Sequence, residues 1–228
     1  MSTLFEPIQQ ADVWLLTLIN FDGPTDYDQF WMLYTNGLTW APLAVAVAWC
    51  LFRRGGWRHA LLMAVVIALM FLITDFLTAS LIKPLVGRLR PSREPGVMEL
   101  LSYVNDYRGG RFSFPSNHAC NGFASATMLA LLFRRKFVIA SAFIWAVGSC
   151  YSRMYLGVHY PSDILTGAVI GVISAFSFHW LYRRCYQRVE SLWQLPPYPT
   201  MYASREPWPI SLTFIFTVVV LLLGSLIL

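Results

Sequence analysis

Three short polar clusters interrupt an otherwise apolar chain, and together they contain the groups that cleavage of a phosphate ester requires. The first is a lysine followed, after six residues, by an Arg-Pro pair. The second is a Pro-Ser-Asn-His run, and the third is a Ser-Arg pair followed by a histidine and an aspartate. Their candidate functional residues are Lys83, Arg90, Ser116, Asn117, His118, Arg153, His159 and Asp163. Phosphoryl transfer needs fixed positive charge, a proton carrier and a nucleophile, and these residue types supply all three.

The two histidines can divide the nucleophilic and the acid–base work between them. Asp163 lies one helical turn beyond His159, so its carboxylate can accept the imidazole Nδ1 proton and leave Nε2 free to attack phosphorus. The expected product of that attack is a phosphohistidine. His118 is expected to protonate the leaving oxygen and then to deprotonate the water that hydrolyses the intermediate.

The remaining cluster residues are predicted to hold the phosphate. Lys83, Arg90 and Arg153 can spread over the phosphate oxygens, as magnesium does in kinases. Because no acidic metal-ligand cluster accompanies them, we expect activity without a metal or another cofactor. Ser116 suits the N-cap of the apolar helix that follows, and the first-turn amides there can bind an anion, with simple capping as the alternative. Asn117 tolerates unusual backbone angles, so this cradle of amides can persist.

These clusters resemble the motifs of the type 2 phosphatidic acid phosphatase superfamily. The family pattern is Lys-x6-Arg-Pro, then Pro-Ser-Gly-His, then Ser-Arg-x5-His-x3-Asp. The first and third motifs are complete in this chain, and Asn117 stands where the family usually has glycine. The resemblance implies a membrane enzyme that dephosphorylates lipids through a phosphohistidine.

A phosphate site at the membrane surface favours an amphiphilic substrate, with its phosphate in water and its tail in lipid. Within the family, the compact chain and its basic motif loop resemble the bacterial undecaprenyl diphosphate phosphatases most, so undecaprenyl diphosphate is the first substrate expected. Phosphatidylglycerophosphate, phosphatidic acid and lipid A phosphate fit the same description. Transfer of the phosphate to a lipid hydroxyl is an alternative reaction, and a non-catalytic lipid binder or transporter is an alternative function.

The composition indicates a protein of the lipid bilayer. Hydrophobic residues make up 57% of the chain and charged residues 13%, whereas soluble domains carry about 25% charged residues. The mean hydropathy is +0.53. The net charge of +5 falls in short loops between apolar runs and in the motifs, so it indicates membrane topology and not a nucleic-acid partner. The oligomeric state is left open by these features.

Hydropathy predicts an all-α, polytopic transmembrane bundle of about six spans. Their approximate bounds are 31–52, 60–82, 116–133, 137–151, 162–182 and 210–228. We treat 1–228 as a single membrane-embedded domain whose motif core is 83–163. Residues 1–30 are expected to form an interfacial segment, and 190–228 a Pro-rich loop and the last span.

Basic residues predict which face of the membrane carries the motifs. Three basic clusters fall on one side of the predicted bundle: Arg53, Arg54, Arg58, Arg134, Arg135, Lys136, Arg183, Arg184 and Arg188. The positive-inside rule makes that side cytoplasmic. The motifs then share the outer face, which corresponds to the periplasmic face of a bacterial inner (plasma) membrane.

Two residues outside the clusters are further site candidates. Asp75 lies inside the second predicted span, two helical turns before Lys83 and on roughly the same face. An intramembrane carboxylate suggests either an ion pair, with Lys83 or an arginine, or a direct contact with substrate. Four more arginines of the motif loop could contact a second phosphate or the headgroup. The four are Arg88, Arg93, Arg108 and Arg111. Arg111 is preferred among them, and a solvated loop face is expected for Arg93 and Arg108.

Overall fold

A computed structural model describes residues 6–195 and 207–227. Within that part the fold is helical, and its one β pairing is an isolated antiparallel bridge between Leu89 and Phe112. The helices are α1 (Glu6–Ile19), α2 (Thr25–Thr35), α3 (Ala41–Asp75), α4 (Lys83–Val86), α5 (Asn117–Phe133), α6 (Lys136–Tyr155), α7 (Pro161–Val189) and α8 (Trp208–Ser225). A π-helical stretch, Phe76–Ile82, joins α3 to α4. The all-α prediction is confirmed.

A break at Gly56 divides α3 into two helices. The Gly56 backbone has φ 73° and ψ −175°, outside the helical region and accessible to glycine because it lacks a Cβ. Leu43 and Leu51 before the break line the same apolar cavity as Ala64 and Phe71 after it. The two halves of α3 therefore lie side by side.

Contacts at the two ends of α5 show that these halves run in opposite directions. At the C-terminal end of α5, the Arg54 guanidinium carbon lies 4.7 Å from the centroid of the Phe133 ring. At its N-terminal end, Asn117 Nδ2 donates to Asp75 Oδ1 at 3.0 Å. The Thr35 hydroxyl, just before α3, accepts a hydrogen bond of 2.9 Å from the last turn of α6, at this same end. The chain thus travels away from the motif end and returns to it.

Several helical runs of the described residues are long and apolar enough to cross a membrane. They are Gly37–Val86, Lys136–Tyr155, Pro161–Val189 and Trp208–Ser225. The first is 50 residues long and contains the Gly56 break. The protein is therefore a multi-pass helical bundle.

Close packing of α7 on α5 sets the geometry at the motif end. A Cβ built on Gly171 would lie 2.2 Å from the Cys120 carbonyl oxygen, and one on Gly167 would lie 2.4 Å from the Ser116 carbonyl oxygen. Both distances are far below van der Waals contact, so glycine is what allows the two backbones to approach. The first turns of α5 and α7 consequently lie next to each other.

The helix bounds differ from the hydropathy prediction around the first two spans. The helix that contains residue 31 ends at Thr35, and the Asn36 side chain caps a 3₁₀ turn, Gly37–Trp40, before α3 begins. Apolar residues continue through this turn, so hydropathy alone places it inside a span. The second span continues through Phe76–Ile82 into α4. Residues 196–206 of the predicted Pro-rich loop lie outside the described residues.

Candidate active site

Two backbone hydrogen bonds close the base of the loop between α4 and α5, and they set the directions in which its arginine side chains point. The Arg90 amide donates to the Arg111 carbonyl at 3.2 Å, and the Ser113 amide donates to the Arg88 carbonyl at 2.9 Å. In extended backbone, residues two apart point to the same side. Arg88 and Arg90 therefore both reach toward the connection between α6 and α7.

The predicted nucleophile and its carboxylate lie at the start of α7. Asp163 Oδ2 accepts from the Tyr160 amide at 2.9 Å, which caps the first turn. The same oxygen lies 3.4 Å from His159 Nδ1, longer than an ordinary N–H···O bond but on the ring nitrogen that the sequence predicts. Both side chains are buried, with 1% of His159 and 0% of Asp163 exposed. Nε2 is the ring nitrogen turned away from the carboxylate.

Arg153 is a buried cation whose hydrogen-bond partners are neutral. Only 2% of the residue is exposed. Its Nη1 donates to the Thr35 hydroxyl at 2.9 Å, and its Nη2 donates to the Tyr107 hydroxyl at 3.1 Å. Hydroxyls satisfy the N–H groups but leave the positive charge uncompensated.

Lys83 and Arg90 are held in a similar way by backbone carbonyls. Arg90 Nη1 donates to the Val158 carbonyl and Lys83 Nζ to the Ser113 carbonyl, each at 3.2 Å. The Nε atoms of Arg90 and Arg153 are buried and have no hydrogen-bond partner in the part of the chain that the structure describes. Cations with neutral partners and spare N–H groups are suited to binding an anion.

Burial, reinforced by this positive charge, favours the neutral form of the nearby histidine. Burial lowers the pKa of His159 well below its ordinary value, and Arg90, Arg153, Lys83 and His118 lower it further. Burial, and then Arg153, lower the pKa of Arg90 to about 10, so that this side chain is still charged at neutral pH. The neutral imidazole is the nucleophilic form of histidine, so His159 is ready to attack an electrophile.

His118 lies in the first turn of α5, beside the same cations. Its side chain is exposed. The positive charges of Arg153, Arg90 and Lys83 all act on it. An exposed imidazole beside these cations can exchange a proton with a bound molecule.

Ser116 joins the first turns of α5 and α7. Its Oγ accepts from the Ala119 amide at 3.4 Å, which confirms the predicted N-cap. Its own amide donates to the Asp163 carbonyl at 3.0 Å. The start of α5 is therefore fixed relative to the residue that faces His159.

Asp75 has different partners from the predicted ion pair. Its Oδ1 accepts from Asn117 Nδ2 at 3.0 Å and from Asn121 Nδ2 at 3.1 Å, whereas Lys83 donates to the Ser113 carbonyl. The intervening π-helical stretch gives the reason, because i→i+5 bonding turns each residue through a smaller angle than an α-helix does. Lys83 therefore leaves the face on which Asp75 lies.

Comparison with known proteins identifies the family. A family model described as the PAP2 superfamily matches residues 56–187. This chain belongs to the PAP2 superfamily. A lipid A 4'-phosphatase of Bacteroides thetaiotaomicron is 35% identical over 189 residues, which cover 82% of this chain and 84% of that protein. A lipid A 4'-phosphatase of Porphyromonas gingivalis is 34% identical over 210 residues, which cover 88% and 86%.

Other PAP2 proteins are similar over less of the sequence or only in fold. A putative undecaprenyl-diphosphatase of Escherichia coli is 32% identical over 114 residues, 48% of this chain and 57% of that protein. The crystal structure of a transmembrane PAP2-type phosphatidylglycerolphosphate phosphatase from Bacillus subtilis has a TM-score of 0.60 at 23% identity, covering 78% of this chain and 88% of that one. That crystal structure has the same fold as this chain. The family model and the two relatives that match most of the chain show that it is a membrane PAP2 phosphatase of lipid substrates.

One candidate residue stays apart from the PAP2 motif residues. The Arg111 side chain is exposed, and its guanidinium carbon lies 5.2 Å from the centroid of the Phe112 ring. Arg111 contributes its carbonyl oxygen, which accepts from Arg90 at the base of the loop.

Residues that the PAP2 motifs do not specify also build the site, and sequence reasoning missed their contacts. Thr35 and Tyr107 hold Arg153 from α2 and from the motif loop. Arg88, considered for the phosphate or headgroup, donates instead to Asp163 at 2.9 Å. Asp12 of α1 bonds the other side of that arginine at 2.7 Å. No spacing predicts these contacts, because they join segments that are distant in the sequence and meet only through the tertiary packing.

Proposed function

We propose that this PAP2 protein removes phosphate from a lipid headgroup at the outer membrane face through a phosphohistidine. The observation that carries the proposal is the meeting of a buried neutral imidazole, a second histidine and three cations at one end of the bundle. The cations have neutral partners and spare N–H groups. A phosphate group supplies the missing negative charge.

In the first step, the cations hold the phosphate oxygens while His159 Nε2 attacks phosphorus. The N–P bond forms as the P–O bond to the headgroup breaks. The Nδ1 proton stays on the ring, directed at Asp163, and His118 gives a proton to the leaving oxygen. In the second step, His118 takes a proton from water, whose oxygen attacks phosphorus. The N–P bond then breaks, which releases inorganic phosphate and returns His159 to its neutral form.

The three cations do the work that a metal ion performs in many phosphoryl-transfer enzymes. Lys83, Arg90 and Arg153 neutralise the oxygens as charge shifts during the reaction. We therefore expect full turnover in the presence of a chelator and without any added cofactor.

The same proposal includes six membrane crossings in one domain, 1–228. The Gly56 break and the opposite directions of its flanking halves support two crossings by Gly37–Val86. Helices α5, α6, α7 and α8 supply the others. Basic residues such as Arg54 lie at the end of the bundle opposite the motifs. The positive-inside rule makes that basic end cytoplasmic. In a bacterium the site then faces the periplasm from the inner membrane.

The first substrate to test is lipid A 4'-phosphate, a monoester on a sugar headgroup. Both relatives named for this reaction match over four fifths or more of each chain. Undecaprenyl diphosphate, the first expectation from sequence, becomes the second candidate because its named relative matches about half of this chain. Phosphatidylglycerophosphate and phosphatidic acid complete the set.

The test is release of inorganic phosphate by detergent-purified protein, with chelator, from each of these four lipids. We expect release from wild-type protein, and none from His159→Ala. His179→Ala, the same change in the far half of α7, is the matched control, and thermal unfolding shows whether each variant folds. Equal release by His159→Ala and wild type would exclude the nucleophile, and no release from any of the four lipids by folded wild type would exclude the proposed substrates. A labelled lipid hydroxyl acceptor distinguishes transfer from hydrolysis.

A further inference from the structure

Arg88, which occupies an unspecified position of the Lys-x6-Arg-Pro motif, lies between two carboxylates beside the proposed nucleophile. Its Nη1 is 2.9 Å from Asp163 Oδ1 and 2.7 Å from Ser162 Oγ, and its Nη2 is 2.7 Å from Asp12 Oδ2. Its guanidinium carbon lies 3.9 Å from the centroid of the Tyr160 ring. Four residues from two helices and the loop between α6 and α7 thus hold one side chain.

The two carboxylate oxygens of Asp163 have separate partners. Oδ2 faces His159 Nδ1 at 3.4 Å and accepts from the Tyr160 amide at 2.9 Å, while Oδ1 accepts from Arg88. A buried carboxylate is strongly disfavoured unless a cation compensates its charge, and a neutral imidazole cannot do so. Arg88 provides that compensation. Its planar guanidinium also fixes the orientation in which Oδ2 meets the imidazole.

Asp12 holds the opposite edge of the guanidinium. Its side chain is 4% exposed. Its Oδ1 accepts from the Ser162 amide at 2.9 Å, and its Oδ2 also accepts from the Ser162 hydroxyl. Asp12 belongs to α1, which lies upstream of the residues 56–187 that the family model matches. A helix outside the matched segment is therefore tied to the first turn of α7.

We propose that Arg88 is a positioning residue for the His159–Asp163 pair, and that Asp12 completes this arrangement by holding the guanidinium. The inference rests on the proposed function, because it takes His159 as the nucleophile. Both Nη atoms of Arg88 already engage carboxylates, so this side chain is not placed to bind phosphate. Loss of Arg88 should therefore slow the attack by His159 and leave substrate binding by the three cations intact.

The first experiment compares turnover by Arg88→Gln, Arg88→Lys and Asp12→Asn on the substrate that wild type hydrolyses fastest. Arg93→Gln is the matched control, because Arg93 is an exposed arginine of the same loop that donates to the Gly109 and Gly110 carbonyls. We expect Arg88→Gln to lower kcat about 100-fold, with KM within about twofold of wild type. Arg88→Lys should recover part of this loss because it keeps the charge. Asp12→Asn should cost about 10-fold, since the contact of Arg88 with Asp163 remains.

The second experiment does not depend on turnover. The chain has four histidines, so ¹⁵N-histidine NMR of wild type and His159→Ala identifies the His159 signals. We expect a single tautomer, with the proton on Nδ1, in wild type and in Arg93→Gln. Arg88→Gln should show a mixture of both tautomers.

Each result either supports or overturns the positioning role. A single Nδ1–H tautomer in folded Arg88→Gln overturns it, as does a rise in KM that accounts for the loss of kcat/KM. If Arg88→Gln does not fold, the milder Arg88→Lys and Asp12→Asn carry the same comparison. If folded wild-type protein releases phosphate from none of the four lipids, the proposed function is overturned. The tautomer comparison still decides how Arg88 acts on His159.

Discussion

The cations that are suited to binding phosphate also reinforce the effect of burial, which favours the unprotonated form of the proposed nucleophile. Arg90, Arg153 and Lys83 each act on His159, which is buried. A protonated imidazole there would add a positive charge beside these three cations. The arrangement therefore favours an imidazole that is neutral and anions that bind.

This electrostatic effect predicts the acid side of the pH profile. Because burial and then Arg90 lower the pKa of His159, the neutral form persists below the ordinary pKa of about 6.5. The acid limb of kcat/KM, which reports the free enzyme, should lie below that value. Arg90→Gln removes one of the positive charges that lower the pKa of His159, so the acid limb of its kcat/KM profile should move to higher pH.

The substrate phosphate also titrates, with a second pKa of about 6, but that ionisation does not change with the variant. The difference between the two profiles thus isolates the enzyme group. Phosphate release measured across pH 4 to 8 (about 0.5-unit steps suffice to resolve a single ionisation) provides the data. Identical acid limbs in wild type and Arg90→Gln would contradict the assignment to His159.

Asp75 provides a second prediction, on stability. Its carboxylate accepts from two side-chain amides, so Asp75→Ala leaves both donors without this acceptor. We expect a loss of about 1–3 kcal/mol in the free energy of unfolding. The thermal unfolding midpoint in detergent should fall, while kcat per folded molecule stays near wild type.

Asp22→Ala, which removes an exposed carboxylate, is the control for Asp75 and should leave the midpoint unchanged. The milder Asp75→Asn keeps one oxygen acceptor, so its unfolding midpoint should lie between those of Asp75→Ala and Asp22→Ala. Turnover abolished in Asp75→Asn at an unchanged midpoint would instead favour the direct substrate contact that the sequence left open.

At the residue scale, sequence predicts best where chemistry depends on local spacing. His159 and Asp163 are only four residues apart, on either side of the α7 N-cap Tyr160, so the chain itself keeps them close, and the structure brings them within 3.4 Å. The partner of Asp75 could not be obtained this way, because a π-helical stretch changes the phase of the helix. Thr35 and Tyr107 are common residue types whose contact with Arg153 depends on how distant segments pack.

At the level of elements, the contact of α5 with α7 aligns the two helix starts that carry the histidines. Gly171→Ala tests this contact. Its added Cβ would lie 2.2 Å from the Cys120 carbonyl oxygen and 2.9 Å from the Ala124 nitrogen, both backbone atoms that cannot swing aside. The helices must separate, at about 1–3 kcal/mol, which exceeds the gain of about 1 kcal/mol from alanine in a helix. We expect a lower unfolding midpoint and slower turnover.

Gly224→Ala in α8 is the matched control, because a Cβ there meets no atom within 4 Å. Its midpoint should stay constant or rise. Equal midpoints for the two variants would show that the approach of α5 to α7 does not depend on glycine.

The helices themselves were largely predictable, since long apolar runs form α5 to α8 close to the expected bounds. The gap between the predicted spans 31–52 and 60–82 also contains Gly56, where α3 breaks. The end of α2 was not predicted, because Asn36 ends that helix inside an apolar run. Hydropathy averages over many residues and cannot resolve a break of one or two.

For the whole molecule, the separation of charge defines the proposed orientation. The proposed phosphate site lies at the end where Thr35 meets Arg153, and the basic cluster that includes Arg54 lies at the opposite end. An enzyme that takes a lipid phosphate from the outer leaflet needs its site on that side. Orientation is therefore part of the function, and it can be measured without knowing the substrate.

Cysteine labelling tests this orientation in a variant whose four native cysteines are replaced by serine. Gly110→Cys places a thiol in the motif loop, where an added Cβ meets nothing within 4 Å. Gln187→Cys places one at the exposed far end of α7. If the site faces outward, a membrane-impermeant maleimide should label Gly110→Cys in intact spheroplasts and Gln187→Cys only after permeabilisation. The reverse pattern would place the site in the cytoplasm. Labelling of both positions in sealed cells would mean that these two ends do not lie on opposite sides of the membrane.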